Sequence, residues 1–302
     1  MDRRNFLAMF GAGGAAILSH PGTLLAAAPM TRPIPRTGES IPLIGMGTWI
    51  TMNVGDDPNL RAARLQVVQT FFDEGGGMID SSPMYGSAEA VIGHCLARIP
   101  NRQGLFSATK VWTVSQWMGV RQMNASFDLW GIDRFDLMQV HNLVDWAAHM
   151  ETLLEWKAEG RVRYIGVTTS HGRRHDDLAE IMAKQPIDFV QFTYNVEDRE
   201  AEDRLLPLAQ DRSIAVIVNR PFQRGALFDR YENEPLPDWA SAIDCANWAQ
   251  FFLKFVVSHP AVTCAIPATS RVDHMRENMG AGRGRLPDDA MRAEMVRYVE
   301  RL

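Results

Sequence analysis

The fold can be predicted from one repeating unit, GMIDSSPMYGSAEAVIGHCLARIPNRQGLFSATK, which spans residues 77–110. The unit begins with a short apolar strand over residues 77–80. A helix follows over residues 88–98, with apolar residues spaced at i, i+3 and i+4, and a second strand occupies residues 105–110. Two strands joined through a helix need a crossover connection, and they therefore pair in parallel.

The same alternation continues on both sides of this unit. Before it, the sequence predicts a short hairpin with its turn at Thr37-Gly38, a first strand over 43–48 and a helix over 60–73. The later helices are predicted over 114–129, 146–159, 176–184, 202–210, 242–257, 272–279 and 288–302. The later strands are predicted over 136–141, 164–168, 189–192, 215–218 and 262–266, with a long loop over 221–239. Eight such units favour a closed (β/α)8 TIM barrel, and an open doubly wound sheet is the alternative.

Composition excludes some classes of protein. Hydrophobic residues make up 46% and charged residues 22% of the 302 residues, which is enough apolar material for a packed core. The net charge of −5 gives no basic surface of the kind that binds nucleic acid. The spacings of Cys95, Cys245 and Cys264 match neither a zinc site nor a disulfide framework, so we expect buried thiols and no metal.

The first 30 residues have the pattern of an export signal. Arg3 and Arg4 precede an apolar run over residues 8–18 that is too short to span a bilayer comfortably. Small residues at 26–28 suit a signal peptidase, and RRNFL resembles the core of the twin-arginine (Tat) signal. The sequence thus predicts a signal segment over 1–30 and a barrel over 31–302. The expected location is the periplasm, reached through the Tat export machinery, and an uncleaved anchor or amphipathic tail is the alternative.

Polar and titratable side chains stand at the carboxyl ends of consecutive predicted strands, where TIM barrels carry their active sites. These are Asp80, with Tyr85 in the loop after it, Lys110 and His141. Hydride attack on a carbonyl builds an alkoxide, which needs a proton or hydrogen-bond donors. A tyrosine supplies the proton more readily if an ammonium lowers its pKa from about 10. Taken singly, each of these residues also has a purely structural interpretation. Asp80 suits a helix cap and Lys110 a solvated strand end. His141 suits a buried core histidine and Tyr85 an aromatic on the barrel rim.

Several segments resemble the aldo-keto reductase family. IDSSPMYGSAEAVIG (79–93), FSATKVW (106–112) and DLMQVHNL (136–143) are similar to the segments that carry its catalytic residues. RTGESIPLIGMGTW (36–49), KAEGRVRYIGVTTS (157–170) and IPATSRVDHMREN (266–278) are similar to its first strand, its fifth unit and its cofactor-clamping end. The resemblance covers about residues 31–300.

The resemblance implies an NADPH-dependent reductase of aldehydes or ketones, with NADH as the alternative cofactor. It implies Tyr85 as general acid, Lys110 and Asp80 as the pair that tunes it, and His141 as the residue that orients the carbonyl. The implied cofactor residues are Thr48, Trp49, Thr168, Thr169, Gln191, Asn219, Arg220, Pro221, Phe222, Arg224, Gly225, Thr269, Ser270, Arg271, His274, Glu277 and Asn278. The implied walls of the substrate pocket are Trp49, Met84 and Trp112.

Some positions depart from the family pattern. Thr168-Thr169 stands where Ser-Asn is usual, and Asn219 stands where an aromatic ring commonly stacks under the nicotinamide. Ala268 and His274 replace positive residues expected near the 2′-phosphate. Arg271 compensates in this interpretation, because arginine suits bidentate contacts to phosphate.

Two other functions remain open at this stage. The first is a barrel that binds NADP(H) as a redox sensor or accessory subunit with little turnover. The second is a TIM-barrel lyase that uses Lys110 as a Schiff-base amine. For the reductase we expect a monomer that acts on a small carbonyl compound and does not bind nucleic acid.

Overall fold

The computed structural model describes residues 28–302. All but the last three residues of the predicted signal segment, and with them Arg3 and Arg4, lie outside the described residues. Within residues 28–302, no helix is both long enough and apolar enough to cross a bilayer.

A short hairpin opens the described chain. Strands β1 (Thr31–Pro33) and β2 (Ser40–Pro42) pair antiparallel, with Arg32 opposite Ile41. The turn between them includes Gly38 at φ +74°, a left-handed conformation that glycine adopts at little cost. The predicted hairpin and its Thr37-Gly38 turn are therefore confirmed.

Eight parallel strands follow and form the barrel. They are β3 (Met46–Gly47), β4 (Met78–Asp80), β5 (Phe106–Val111), β6 (Phe135–Val140), β7 (Val162–Thr168), β8 (Phe189–Thr193), β9 (Ala215–Asn219) and β10 (Val262–Ala265). Each strand pairs with its neighbour in chain order. Single bridges from Ile44 to Ala265 and from Gly47 to Ala268 join the first segment to the last. The predicted (β/α)8 barrel is confirmed.

The helices lie between the strands and cover the outside of the barrel. They are α1 (Pro58–Asp73), α2 (Ala88–Leu96), α3 (Gln116–Trp130), α4 (Trp146–Ala158), α5 (His175–Lys184), α6 (Leu205–Asp211), α7 (Ala226–Tyr231), α8 (Trp248–Ser258), α9 (Val272–Gly280) and α10 (Asp289–Arg301). Most predicted boundaries agree with these within a few residues, which is the usual uncertainty at a helix end.

Three predicted elements were wrong in extent. The first barrel strand is regular only over Met46–Gly47, because its earlier residues pair through a single bridge. The predicted long loop contains α7. The helix expected from residue 242 begins at Trp248, where Asn247 caps it by accepting a hydrogen bond from the Gln250 backbone at 2.9 Å.

The hairpin closes one end of the barrel. Ile34 and Ile41 are buried in a cluster inside the barrel, together with Met78, Phe106 and Phe189 near the starts of their strands. In the part of the chain that the structure describes, the carboxyl end of the barrel is therefore the end open to a ligand. The second and larger apolar cluster packs the helices against the outside of the strands. All three cysteines are buried and free, as predicted.

Candidate active site

A cavity of about 480 Å³ opens at the carboxyl ends of the barrel strands. Asp80, Tyr85, Lys110 and His141 all line this cavity, although they come from three strand ends and one following turn. The structure therefore brings the four predicted catalytic residues together. Within residues 28–302 no cluster of three or more His, Cys, Asp or Glu side chains could hold a metal ion.

Asp80 and Lys110 form a buried ion pair at the base of the cavity. Nζ of Lys110 donates to Oδ1 of Asp80 at 2.5 Å and to the Ser81 carbonyl at 2.7 Å. Oδ2 of Asp80 accepts a further bond from Gln139 at 3.1 Å. Burial lowers the pKa of Lys110, and the carboxylate of Asp80 opposes that shift. The pair is held in one geometry by groups that leave the lysine little freedom to move.

Tyr85 lies beside this pair at the end of a single 3₁₀ turn, Pro83–Tyr85. Its ring centroid is 5.4 Å from Nζ of Lys110. Burial raises the pKa of Tyr85 above its usual 10.0, and the negative charge of Asp80 adds to the shift. The sequence-based expectation that Lys110 lowers the Tyr85 pKa does not hold in this state of the site, because burial dominates and the nearby carboxylate of Asp80 offsets the charge of Lys110. Tyr85 is thus a protonated phenol, which is the form a general acid requires.

His141 lies directly after β6, in a tight turn that Asn142 completes with φ +53°. The imidazole meets the Tyr85 ring edge to face, with 5.6 Å between the ring centroids. Its Nδ1 is 2.8 Å from the hydroxyl of Ser82. Burial lowers the pKa of His141 well below 6.5, and the positive charge of Lys110 adds to this effect. The ring is therefore neutral at physiological pH.

These shifts predict the pH dependence of carbonyl reduction. A general acid is lost as pH rises through its pKa, and the pKa of Tyr85 lies above 10.0. His141 becomes charged as pH falls through a pKa that lies below 6.5. The kcat/KM for a non-ionising carbonyl substrate should therefore stay level between pH 6.5 and 10 as long as Lys110, whose pKa burial lowers from 10.5, keeps its proton. A fall on the alkaline side within that window would mean that either the phenol of Tyr85 or the ammonium of Lys110 loses its proton there.

Most of the predicted cofactor residues also line the cavity. They are Thr48, Trp49, Thr168, Thr169, Gln191, Asn219, Arg220, Pro221, Phe222, Arg224 and Gly225. The remaining six lie outside it: Thr269, Ser270 and Arg271 directly before α9, and His274, Glu277 and Asn278 within that helix. Arg271 forms an ion pair there with Asp273, so the carboxylate already offsets part of its positive charge.

Two buried polar atoms in the cavity wall match what a nicotinamide carboxamide would need. Within residues 28–302, Oε1 of Gln191 and Oγ1 of Thr169 have no hydrogen-bond partner, and a buried polar group without a partner is costly. Asn219, at the end of β9, is fixed in orientation because its Nδ2 donates to the Thr169 carbonyl at 2.8 Å. It also accepts a bond from Thr193 at 2.8 Å. The residues present therefore fit a nicotinamide, although none supplies the stacking ring at position 219.

One predicted pocket wall is not in the pocket. Trp49 and Met84 line the cavity, but Trp112 does not. The backbone of Trp112 is held by Gln122 of α3, which accepts its N–H at 2.6 Å and donates to its carbonyl at 3.0 Å. The indole is 41% exposed on the rim of the barrel. Its place just after β5 therefore did not put it in the cavity.

Some residues at the site were missed by the sequence interpretation. Gln139 lies two residues before His141, so strand alternation places it on the same inward face and could have found it. Ser82 gave no local signal, because its contact with His141 joins two different strand ends. The residues that line the cavity but were not singled out from the sequence are Gly47, Ile50, Thr51, His171, Phe228 and Ile266.

The fold and the site together define a TIM-barrel enzyme whose buried Lys–Asp pair stands beside a protonated tyrosine and a neutral histidine. A sequence model of the aldo/keto reductase family matches residues 43–294. The chain belongs to the aldo/keto reductase family and is an oxidoreductase.

Known proteins similar to the chain agree with this assignment. The methylglyoxal reductase YeaE of Escherichia coli is 26% identical over 247 residues, which cover 79% of this chain and 84% of that protein. The NADH-specific methylglyoxal reductase of E. coli is 28% identical, covering 70% of this chain and 72% of its own. An aldo/keto reductase of Klebsiella pneumoniae solved with NADP and acetate superposes with a TM-score of 0.72 at 24% identity, covering 86% of this chain and 92% of its own.

Proposed function

We propose that this protein reduces an aldehyde or ketone to an alcohol, with NADPH as the hydride donor and Tyr85 as the proton donor. The observation that carries the proposal is the convergence of Tyr85, His141 and the Lys110–Asp80 pair on one cavity wall. When bound, the nicotinamide supplies a hydride to the carbonyl carbon. The carbonyl oxygen becomes an alkoxide and takes the phenolic proton, so one hydride and one proton are added in total.

The side chains around the carbonyl oxygen have separate tasks. Tyr85 holds its proton because its surroundings raise its pKa. His141 lies edge to face against the Tyr85 ring, where a neutral imidazole can donate to the same oxygen and orient it. As negative charge develops on Tyr85, the ammonium of Lys110 stabilises it from 5.4 Å away. The carboxylate of Asp80 favours the charged form of Lys110 although the lysine side chain is buried.

Positive side chains at the mouth suit the diphosphate of the cofactor. Arg220 and Arg224 both line the cavity, and the guanidinium of Arg224 lies over the Trp49 ring, 4.3 Å from its centroid. Burial lowers the pKa of Arg220, and the positive charge of Arg224 adds to the shift; Asp198 opposes it. Two cations held this close repel each other, and a bound anion such as the diphosphate would offset that repulsion.

Fewer side chains support the preference for NADPH over NADH than support cofactor binding itself. Arg271, directly before α9, is the cationic candidate for the 2′-phosphate, and Asp273 already pairs with it. One relative is an NADH-specific reductase, and structures of other family members hold NADP or NADPH. NADPH is expected to give the higher kcat/KM, and a higher value with NADH would overturn this preference.

The test begins with NADPH binding, followed through the cofactor's fluorescence, and continues with its oxidation by a panel of aldehydes that includes methylglyoxal. Arg220→Ala should weaken NADPH binding roughly tenfold, because a charge-assisted contact is lost. Arg212→Ala is the matched control, since this exposed arginine follows α6 and lies toward the closed end of the barrel. Tight binding without turnover of any carbonyl would favour the sensor hypothesis, and no binding would exclude the proposed cofactor.

The lyase alternative is less well supported. A Schiff-base lysine needs a free neutral amine to attack a carbonyl. Nζ of Lys110 instead contacts the carboxylate of Asp80 at 2.5 Å and the Ser81 carbonyl at 2.7 Å. These contacts favour the charged form that the reductase mechanism uses.

We also propose that the barrel is exported as a monomer by the Tat machinery to the periplasm, with residues 1–30 as the signal. The support is the Arg3-Arg4 pair, the short apolar run and the small residues that follow it. Replacing both arginines by lysine should retain the protein in the cytoplasm of a bacterium that exports the unaltered chain. Export that continues unchanged would contradict the proposal.

A further inference from the structure

The hydroxyl of Ser82 makes two contacts that limit how its hydrogen can be used. Ser82 is completely buried, and its Oγ accepts a hydrogen bond from the backbone N–H of Met84 at 3.2 Å. The same Oγ lies 2.8 Å from Nδ1 of His141. A serine hydroxyl has one hydrogen to donate and lone pairs to accept with. Because the Met84 N–H is a donor, it cannot take the serine hydrogen.

Among residues 28–302, the acceptor within hydrogen-bond distance of that hydroxyl is Nδ1 of His141. If Nδ1 carried a hydrogen of its own, it would donate to Ser82, and the buried hydroxyl hydrogen would then lack a partner in this contact set. If Nδ1 is unprotonated, the serine donates to it and all three groups are satisfied. The neutral ring then carries its hydrogen on Nε2, since a neutral imidazole has one N–H.

We propose that Ser82 is a positioning residue for the reaction: its hydroxyl donates to Nδ1 of His141 and so keeps the imidazole hydrogen on Nε2. This inference rests on the proposed role of His141 as a donor to the substrate carbonyl. An Nε2 that carries hydrogen can donate to that oxygen, whereas an Nε2 lone pair would repel it. Burial and the charge of Lys110 both lower the pKa of His141, which keeps the ring in the neutral form that this choice requires.

Ser82 has a second task that a test must separate from the first. Its acceptance of the Met84 N–H caps the single turn that carries Tyr85. Removing the hydroxyl therefore disturbs the Tyr85 turn and the His141 ring together, and a loss of activity would not distinguish them. The tautomer of His141 does distinguish them, because a capping role has no effect on which ring nitrogen holds the hydrogen.

The experiment measures the tautomer by ¹⁵N NMR of the imidazole nitrogens in the full barrel without cofactor. His141→Gln identifies the signals of His141 among the eight histidines of the chain. In the unaltered protein we expect Nε2 to be protonated and Nδ1 to be an acceptor. In Ser82→Ala a mixture of both tautomers should appear, and kcat/KM should fall roughly tenfold as a hydrogen bond is lost. Ser82→Thr, which restores a hydroxyl, should restore the single tautomer.

The matched control is Ser81→Ala. This substitution removes the adjacent buried hydroxyl, which accepts a hydrogen bond from the hydroxyl of Thr48 at 2.9 Å. It should leave the His141 tautomer unchanged. A hydrogen on Nδ1 in the unaltered protein would overturn the inference, and so would an unchanged tautomer in Ser82→Ala. Neither measurement depends on turnover. Failure of every carbonyl to react would therefore refute the proposed function while the tautomer still tests Ser82.

Discussion

Tyr85→Phe should lower kcat for carbonyl reduction by about a hundred- to ten-thousandfold, the usual contribution of a general acid. The substitution removes one oxygen from the cavity wall and leaves the ring beside Lys110 and His141. The alkoxide then has no positioned proton donor, because the pKa shift of His141 leaves that ring neutral and a poor acid. NADPH binding should be unchanged, since the phenol is not among the groups proposed to hold the cofactor.

Steady-state kinetics with one aldehyde and a fluorescence titration with NADPH measure the two effects separately. Tyr298→Phe provides the matched control: its hydroxyl donates to the Pro235 carbonyl at 2.8 Å, on the outside of the barrel. That variant should keep full activity. If Tyr85→Phe retained a third or more of the original kcat, another residue or a water molecule would have to supply the proton.

Lys110→Met should abolish most activity and also destabilise the protein by about 3–5 kcal/mol, the usual cost of breaking a buried ion pair from one side. Both side chains of the pair are almost completely buried, with 1% exposure for Lys110 and 2% for Asp80. Removing the ammonium leaves the Asp80 carboxylate buried with only the amide of Gln139 and a longer contact to Gln191 as donors. Urea unfolding of the protein without cofactor would measure the loss.

The double variant Asp80→Leu, Lys110→Met separates folding from catalysis. Replacing a buried ion pair by apolar residues of similar volume is often neutral or stabilising, so most of the lost stability should return. Activity should not return, because no ammonium then faces the developing phenolate. A double variant as unstable as the single one would mean that the cost came from packing and not from the unpaired charge.

Lys157→Met is the control for this series. Lys157 pairs with Asp188 at 2.6 Å on the outside of the barrel, and its own side chain is 35% exposed. Asp188 keeps the backbone N–H of Ile165 as a donor at 3.0 Å after the substitution. The stability loss should therefore be smaller than for Lys110→Met, and activity should be retained.

The amino-acid sequence by itself determined the barrel and the place of the four catalytic candidates on it. Alternating apolar periods of two and 3.6 residues specify strands and helices locally, and parallel pairing then brings every strand end to the same face. The helix that begins at Trp248 was predicted to start six residues too early, because apolar residues also precede the Asn247 cap. Local periodicity does not show where a cap will form.

Other properties were decided only by the tertiary structure, because they depend on distances between groups that are far apart in the chain. The pKa of Tyr85 is raised and not lowered, since folding buries the phenol near Asp80 and pairs Lys110 with that carboxylate. The Ser82–His141 contact joins residues 59 positions apart. Trp112, next to the active site in sequence, lies outside the cavity. Burial and electrostatic environment arise from all the elements packed around a group, so no single stretch of sequence contains them.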